Sequence, residues 1–218
     1  MQSGNSGAST FTTTARRAQI VRAAIDTIAE LGCARASYTQ IARRAGLSST
    51  GLISYHFAGR DELIRRVVAA VVDAGQAFML PRIEAAAAGP DRLRAYIESN
   101  LAFMATHRAE MLAVVEILTT SRRDAGQPYA DPHARGLHQL EGYLREGQRS
   151  GELRDFSPHV MAVTIRAAID AVAFRLSAEP DLDLDLYAHE LANLFDQATR
   201  SRDSPRAKEP TAQEGADR

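Results

Sequence analysis

The chain has 218 residues, 45% of them apolar, 24% charged and 6% aromatic, which suits one or two domains and excludes a wholly disordered polymer. No run approaches the roughly 18 apolar residues of a membrane span, and the first residues lack the apolar core of a signal peptide, so a cytoplasmic protein without a membrane segment is expected. A single cysteine, Cys33, allows neither an internal disulfide nor a cysteine cage for zinc, and the net charge of −1 hides +5 on residues 1–66 and −6 on residues 67–218. A basic head on an acidic body fits a nucleic-acid-binding unit joined to another domain; scattered surface charge fits the same numbers.

Helical spacing dominates, and alternating β patterns are nearly absent. Residues 16–31 set Ile20, Val21, Ala24, Ile25, Ile28 and Leu31 on one face, with Gly32 as the stop. Thr39 reads as the N-cap of a short helix over 40–45, Gly46 as its end, and a second short helix runs from about 49 or 50 to 56. A long helix then opens with Asp61 and Glu62 in its first turn, carries Leu63, Ile64, Val67, Val68, Val71 and Val72, and reaches Leu80 before Pro81 kinks or ends it. Further helices are predicted at 91–106, 108–120, 134–150, 158–178 and 184–200. The segment 121–132 reads as a polar loop, and 1–13 and 201–218 as disordered tails. The expected fold is all-α: a helix-turn-helix head over 14–60 and a helical body over 61–200.

Residues 38–63 carry the chemistry. A short helix, a turn built on glycine and a second short helix form the unit that places one helix in the DNA major groove, about 12 Å wide. Leu52, Ile53 and Phe57 would seat the second helix, leaving Ser49, Thr50, Ser54 and Tyr55 to face DNA, while Arg43, Arg44 and Arg60 flank it with charge for phosphates. Periodicity and charge alone fit equally well three helices that merely pack together.

The residues go further. Thr39-Gln40-Ile41-Ala42, Ala45-Gly46-Leu47-Ser48, Gly51, His56-Phe57, Arg60 and Leu63 at these spacings resemble the DNA-binding segment of TetR-family transcriptional regulators, over about 50 residues. Two departures stand out. Ser49 and Thr50 occupy a place where the family usually has one residue, and Ser54-Tyr55-His56-Phe57 carries its aromatic one place later than the usual Tyr-x-His-Phe. A shift of one residue turns a helical position by about 100°, so which of Ser49, Thr50, Ser54 and Tyr55 meets a base stays open. The resemblance implies a capping and phosphate role for Thr39, a phosphate role for Arg60 and a backbone-facing place for His56, with a packing role beneath Phe57 as the alternative for His56. With Arg16 and Arg17 at the start of the first helix, and Gln40, Ser48 and Gly51 around the turn, these residues complete the expected DNA-binding set.

The resemblance also implies a homodimer on a palindromic double-stranded DNA operator, a repressor released when a small molecule occupies the body. A constitutive helix-turn-helix protein without an inducer shares every feature of residues 1–63. On the helix at 91–106, Tyr96, Asn100, Phe103 and His107 form a mixed aromatic and polar stripe. With Phe78, Met79, Met104 and Met111 they would line a largely apolar pocket for an unidentified hydrophobic or aromatic effector; half-exposed Tyr96 and Asn100 beside an ordinary core Phe103 is the alternative. The helix at 158–178 is apolar almost all round. Met161, Ile165, Ala168 and Val172, with Leu191 and Leu194 of the last helix, are therefore expected at a dimer interface, burial within one subunit being the alternative. Other chemistry is weak: His133 and His138 are not at a metal-binding helical spacing, Asp181, Asp183 and Asp185 lack the glycine and closing glutamate of a calcium loop, and Cys33 reads as a small buried hydrophobe. No nucleophile elbow, metal set or cofactor motif marks an enzyme.

Overall fold

The computed structural model describes residues 6–121 and 130–201, with side chains from 13 to 120 and from 136 to 201. Among these residues every regular element is a helix: α1 (Ser6–Leu31), α2 (Tyr38–Arg44), α3 (Gly51–His56), α4 (Arg60–Ala85), α5 (Pro90–Thr106), α6 (Arg108–Ser121), α7 (Ala130–Arg149), α8 (Pro158–Ala178) and α9 (Leu184–Thr199). Several boundaries correct the sequence expectation. Residues 6–13, read as tail, belong to α1, because extending an established helix adds one hydrogen bond per residue ordered. Residues 130–132, expected in the polar loop, instead open α7, while residues 1–5, 122–129 and 202–218 lie outside the described residues, as does the side chain of His133.

Nor does Pro81 end α4. Proline removes one backbone donor and crowds the carbonyl four residues back. Here the Arg82 guanidinium donates to the Phe78 carbonyl and lies 3.8 Å from the centroid of the Phe78 ring, covering the disturbed turn. The helix continues one more turn, to Ala85.

Two apolar clusters organise the chain. In the first, Ile20, Ala24 and Ile28 of α1, Ile41 of α2, and Ile53 and Phe57 at the α3 end meet Leu63, Val67 and Val71 of α4, all buried. Full burial of an Ile or Phe side chain is worth about 1.5–3 kcal/mol, so this contact set holds the short helices that could not stand alone. The same cluster takes in Ala113 and Ile117 of α6, so it crosses the boundary expected at residue 60. The second cluster joins Leu93, Ile97, Leu101 and Met104 of α5 to Leu140 and Leu144 of α7, Ile165 and Ile169 of α8, and Phe195 of α9.

Helix α4 is not the only connection between head and body: α1 packs more extensively along α6 than along α4. Arg22 of α1 pairs with Glu110 of α6, and the Cys33 N–H donates to Glu116 Oε1 at 3.1 Å. Gly32, at φ +81°, ends α1, and a Cβ there would stand 3.1 Å from the same Glu116 oxygen. At the far end of the body the turn after α7 is fastened to the end of α9. Leu153 bridges Arg200, the Arg154 N–H donates to the Thr199 carbonyl at 2.9 Å, and the Ser201 N–H donates to the Glu152 carbonyl at 3.1 Å.

Candidate DNA-reading face and effector site

The cap of α2 is Ser37, not Thr39. Ser37 is extended, and its Oγ accepts from the Gln40 N–H at 3.3 Å. Tyr38 packs against the first cluster, which starts the helix earlier than the spacing predicts and leaves Thr39 inside it, exposed. Gly46 at φ +64° closes α2, with the Leu47 N–H reaching back to the Ala42 carbonyl at 2.9 Å. Helix α3 begins at Gly51 and seats Ile53 and Phe57 at 0% and 1% exposure, with Leu52 half-buried. Ser49 and Thr50 therefore lie in the turn ahead of α3, and Ile53 and Phe57 form its seating face. Opposite that face, Ser48, Ser49, Thr50, Gly51, Ser54 and Tyr55 are exposed, and Tyr55 is 80% open to solvent. Its ring stands edge-on to half-buried His56, 5.1 Å between centroids.

The arginines divide by what holds them. Arg60, expected on a phosphate, donates instead to the Ala36 carbonyl at 2.7 Å and to the Cys33 carbonyl, closing the loop between α1 and α2. Arg17 is also engaged. It donates to the His56 carbonyl, pairs with Glu62 at 2.8 Å and lies 4.5 Å from the Phe57 ring centroid, which ties α1 to the end of α3 and the start of α4. The Ala58 amide, at 2.6 Å, and then Arg17 hold the Glu62 carboxyl below the usual carboxylate range. Arg44 pairs with Glu30. Arg43 and Arg16 meet only neutral amides in the described bonds, Gln40 and, at 2.8 Å, Gln19, so their charge is uncompensated at the surface. Of the arginines expected at phosphates, Arg43 and Arg16 are thus the ones that no described carboxylate pairs with.

Residues 20–67 match the family described as bacterial regulatory proteins, tetR family. The BetI 1 regulator of Chromohalobacter salexigens is 35% identical over 86 residues, which span 39% of this chain and 42% of that protein, so the chain matches less than half the length of this relative. The BetI regulator of Escherichia coli O157:H7 is 30% identical over 186 residues, 83% of this chain and 91% of that one. The chain belongs to the TetR family. Its fold is that of a protein assigned as a transcriptional regulator from Saccharomonospora viridis, solved in complex with choline, at TM-score 0.75 and 22% identity over 87% of this chain and 100% of the other. The FadR regulator of Bacillus subtilis, in complex with stearoyl-CoA, matches at TM-score 0.72 and 21% identity over 81% and 95% of the two chains.

In this TetR-family body the predicted effector residues fall into two groups. Phe103 and His107 stack with their centroids 4.3 Å apart, Phe78 meets Phe103 at a tilt and His107 edge-on, and Met79 lies beside Gly75. Tyr96 and Asn100 form the second group. They are buried rather than half-exposed and face a guanidinium that sequence reasoning did not single out. Arg166 Nη1 donates to Asn100 Oδ1 at 3.0 Å and to the Tyr96 hydroxyl at 3.4 Å, while Nε and Nη2 both donate to Asp170 Oδ1, at 3.0 and 2.6 Å. Burial works against the Arg166 charge, yet Tyr96 and Asp170 more than offset it, and its pKa stands above the ordinary arginine value. Met104 belongs to the second apolar cluster, and Met111 touches both. The signal for Arg166 was legible: one Arg four residues before an Asp, inside a helix otherwise almost wholly apolar. A groove of about 400 Å³ lies away from both groups, walled by Ile28, Gly32, Arg35, Leu112, Glu116 and Ser177.

The expected dimer residues also divide. Ile165 and Val172 are buried within the chain at 0% and 3% exposure, so they are corrected from interface to core: the stripe 165, 169, 172, 176 is the face that α8 turns inward. Met161, Ala168 and Leu191 are half-buried, and Leu194 is 58% exposed. Val160 and Val163 of α8 and Leu186 of α9 are exposed as well. Asp183 caps α9, its Oδ1 accepting from the Leu186 N–H at 2.9 Å. Among the described residues no group of three His, Cys, Asp or Glu is placed to hold a metal, and no helix is long and apolar enough to cross a membrane.

Proposed function

We propose that the protein is a cytoplasmic homodimeric repressor that binds a palindromic operator through α3 and releases it when a small hydrophobic effector occupies the body. The observation that carries this reading is the cluster shared by head and body. Phe57 beneath the DNA-reading face and Ile117 of α6 are buried in one apolar unit, so a change in the body is felt by the helix that reads DNA. The exposed polar run Ser48–Gly51, with Ser54 and Tyr55, supplies the base-reading side, and Arg43 and Arg16 supply phosphate contacts. Val160, Val163, Leu186 and Leu194 supply a face for a second copy of the chain. The choline and stearoyl-CoA held by two proteins of the same fold support a ligand-responsive body.

The test is selection of binding sites from random duplexes, followed by anisotropy titration of the selected site with candidate effectors. Inverted half-sites bound by a dimer, with release by a compound that also raises the Tm, are expected. Binding without sequence preference would remove the regulator reading. Selected-site binding that no effector weakens would leave the constitutive alternative, which the close packing of Phe78, Phe103 and His107 against one another favours.

A further inference from the structure

We propose that Arg166, Tyr96 and Asn100 form the polar anchor of the effector site between α5 and α8, and that this anchor takes the carboxylate of a hydrophobic acid rather than a cation. The inference rests on the ligand-responsive reading above and gives that ligand a charge.

A guanidinium has five N–H donors and no acceptor. Four go to described partners: two to Asp170 Oδ1 and one each to Asn100 Oδ1 and the Tyr96 hydroxyl. The fifth, on Nη2, has no described acceptor. Tyr96 accepts from Arg166, and its own hydroxyl proton has no described acceptor either. The cluster thus holds two donors without a described protein acceptor, one of them charged; Tyr96 and Asn100 are 4% and 6% exposed, and the Arg166 side chain at 19% keeps an opening to the outside. Ile97, Leu101, Ile165 and Ile169, each at most 1% exposed, lie in the same apolar cluster as Tyr96, and beside such apolar surroundings a charge-assisted hydrogen bond is stronger than in water.

A carboxylate brings two acceptor oxygens and the opposite charge, which meets both donors at once. A quaternary ammonium brings no acceptor and repels the guanidinium. An alcohol accepts one bond without charge. Asp170, a third exposed and four residues from Arg166 on the same helix, keeps its pair with Nε and Nη2, and the ligand carboxylate takes the remaining donors.

The experiment titrates the intact dimer calorimetrically with head-group-matched sets on two tails: decanoate, decan-1-ol and decyltrimethylammonium, and their 3-phenylpropyl counterparts. Acids are expected to bind at least tenfold more tightly than the alcohol of the same tail, and the ammonium compounds least. Arg166→Gln should abolish the preference for acid over alcohol, and Tyr96→Phe, which removes only the hydroxyl, should reduce it severalfold. Equal binding of acid and alcohol, tightest binding of the ammonium compounds, or an unchanged acid-to-alcohol ratio in Tyr96→Phe would each overturn the anchor while leaving a ligand-responsive body standing. No binding by any of the six compounds would overturn both.

Discussion

Arg43 and Arg60 are the same residue type on either side of α3, and their environments give them different work. Arg43→Ala should weaken binding about equally on all DNA sequences and lower the log–log salt slope by roughly one unit, since one phosphate contact is lost. Arg60→Ala should leave that slope nearly unchanged and lower stability by about 1 kcal/mol, because the Cys33 and Ala36 carbonyls lose a charged donor at an exposed site. Salt titration and urea denaturation of both variants separate the two roles. Glu62 makes a pH-dependent counterpart. The Ala58 amide and Arg17 lower its folded-state pKa, so its contribution is complete above the unfolded value of about 4.3 and is lost as pH falls through the lower folded value. Glu62→Gln removes the titrating group, and its Tm should therefore drop less than the parent's between pH 5 and 3. A parallel drop in both proteins would show that the clamp of Arg17 is not held by charge.

At the level of helices, period and punctuation made most of the architecture readable. Leu93, Ile97, Leu101 and Met104 at steps of four, four and three place α5 unambiguously, and the same four side chains line the second cluster. Gly32, Gly46 and Asp183 mark ends where a left-handed turn or a cap is needed. What stayed hidden depends on partners distant in the chain. Arg17 and Arg60 look like free surface charges until Glu62 and the Cys33 and Ala36 carbonyls are brought beside them. Pro81 looks like a stop until Arg82 covers the freed turn. An all-apolar helix likewise conceals which of its faces turns inward, and α8 resolves that only through packing. Leu194→Glu should give a folded monomer by sedimentation, whereas Ile165→Ala should cost about 2–5 kcal/mol in unfolding without changing the association state. A dimer that survives Leu194→Glu would place the interface elsewhere.

On the scale of the whole molecule, the overall charge of −1 says little, because the positive excess sits in the head that meets DNA. The link between head and body was not legible, since α1 and α6 are more than 75 residues apart in sequence and meet through Arg22–Glu110 and the Cys33 amide on Glu116. Glu116→Ala removes the acceptor of that amide. Hydrogen exchange at Cys33 should speed up, and effector binding should loosen DNA by a smaller factor than in the parent, if α6 carries part of the coupling. Unaltered exchange and unaltered release together would assign the coupling to α4 alone.

The latch between Leu153 and Arg200 has a practical side for anyone shortening or tagging this chain. Its last described clasp is the Ser201 amide on the Glu152 carbonyl, so trimming back to residue 201 spares every bond of the latch. Trimming to Gln197 takes away Thr199 and Arg200, and with them the acceptor of the Arg154 amide, the bridge to Leu153 and a buried hydroxyl at the foot of α9. A nested set of C-terminal deletions should therefore lose melting temperature as a step rather than a slope, with the step falling between residues 201 and 197. A fusion partner joined after residue 201 should fall on the harmless side of that step.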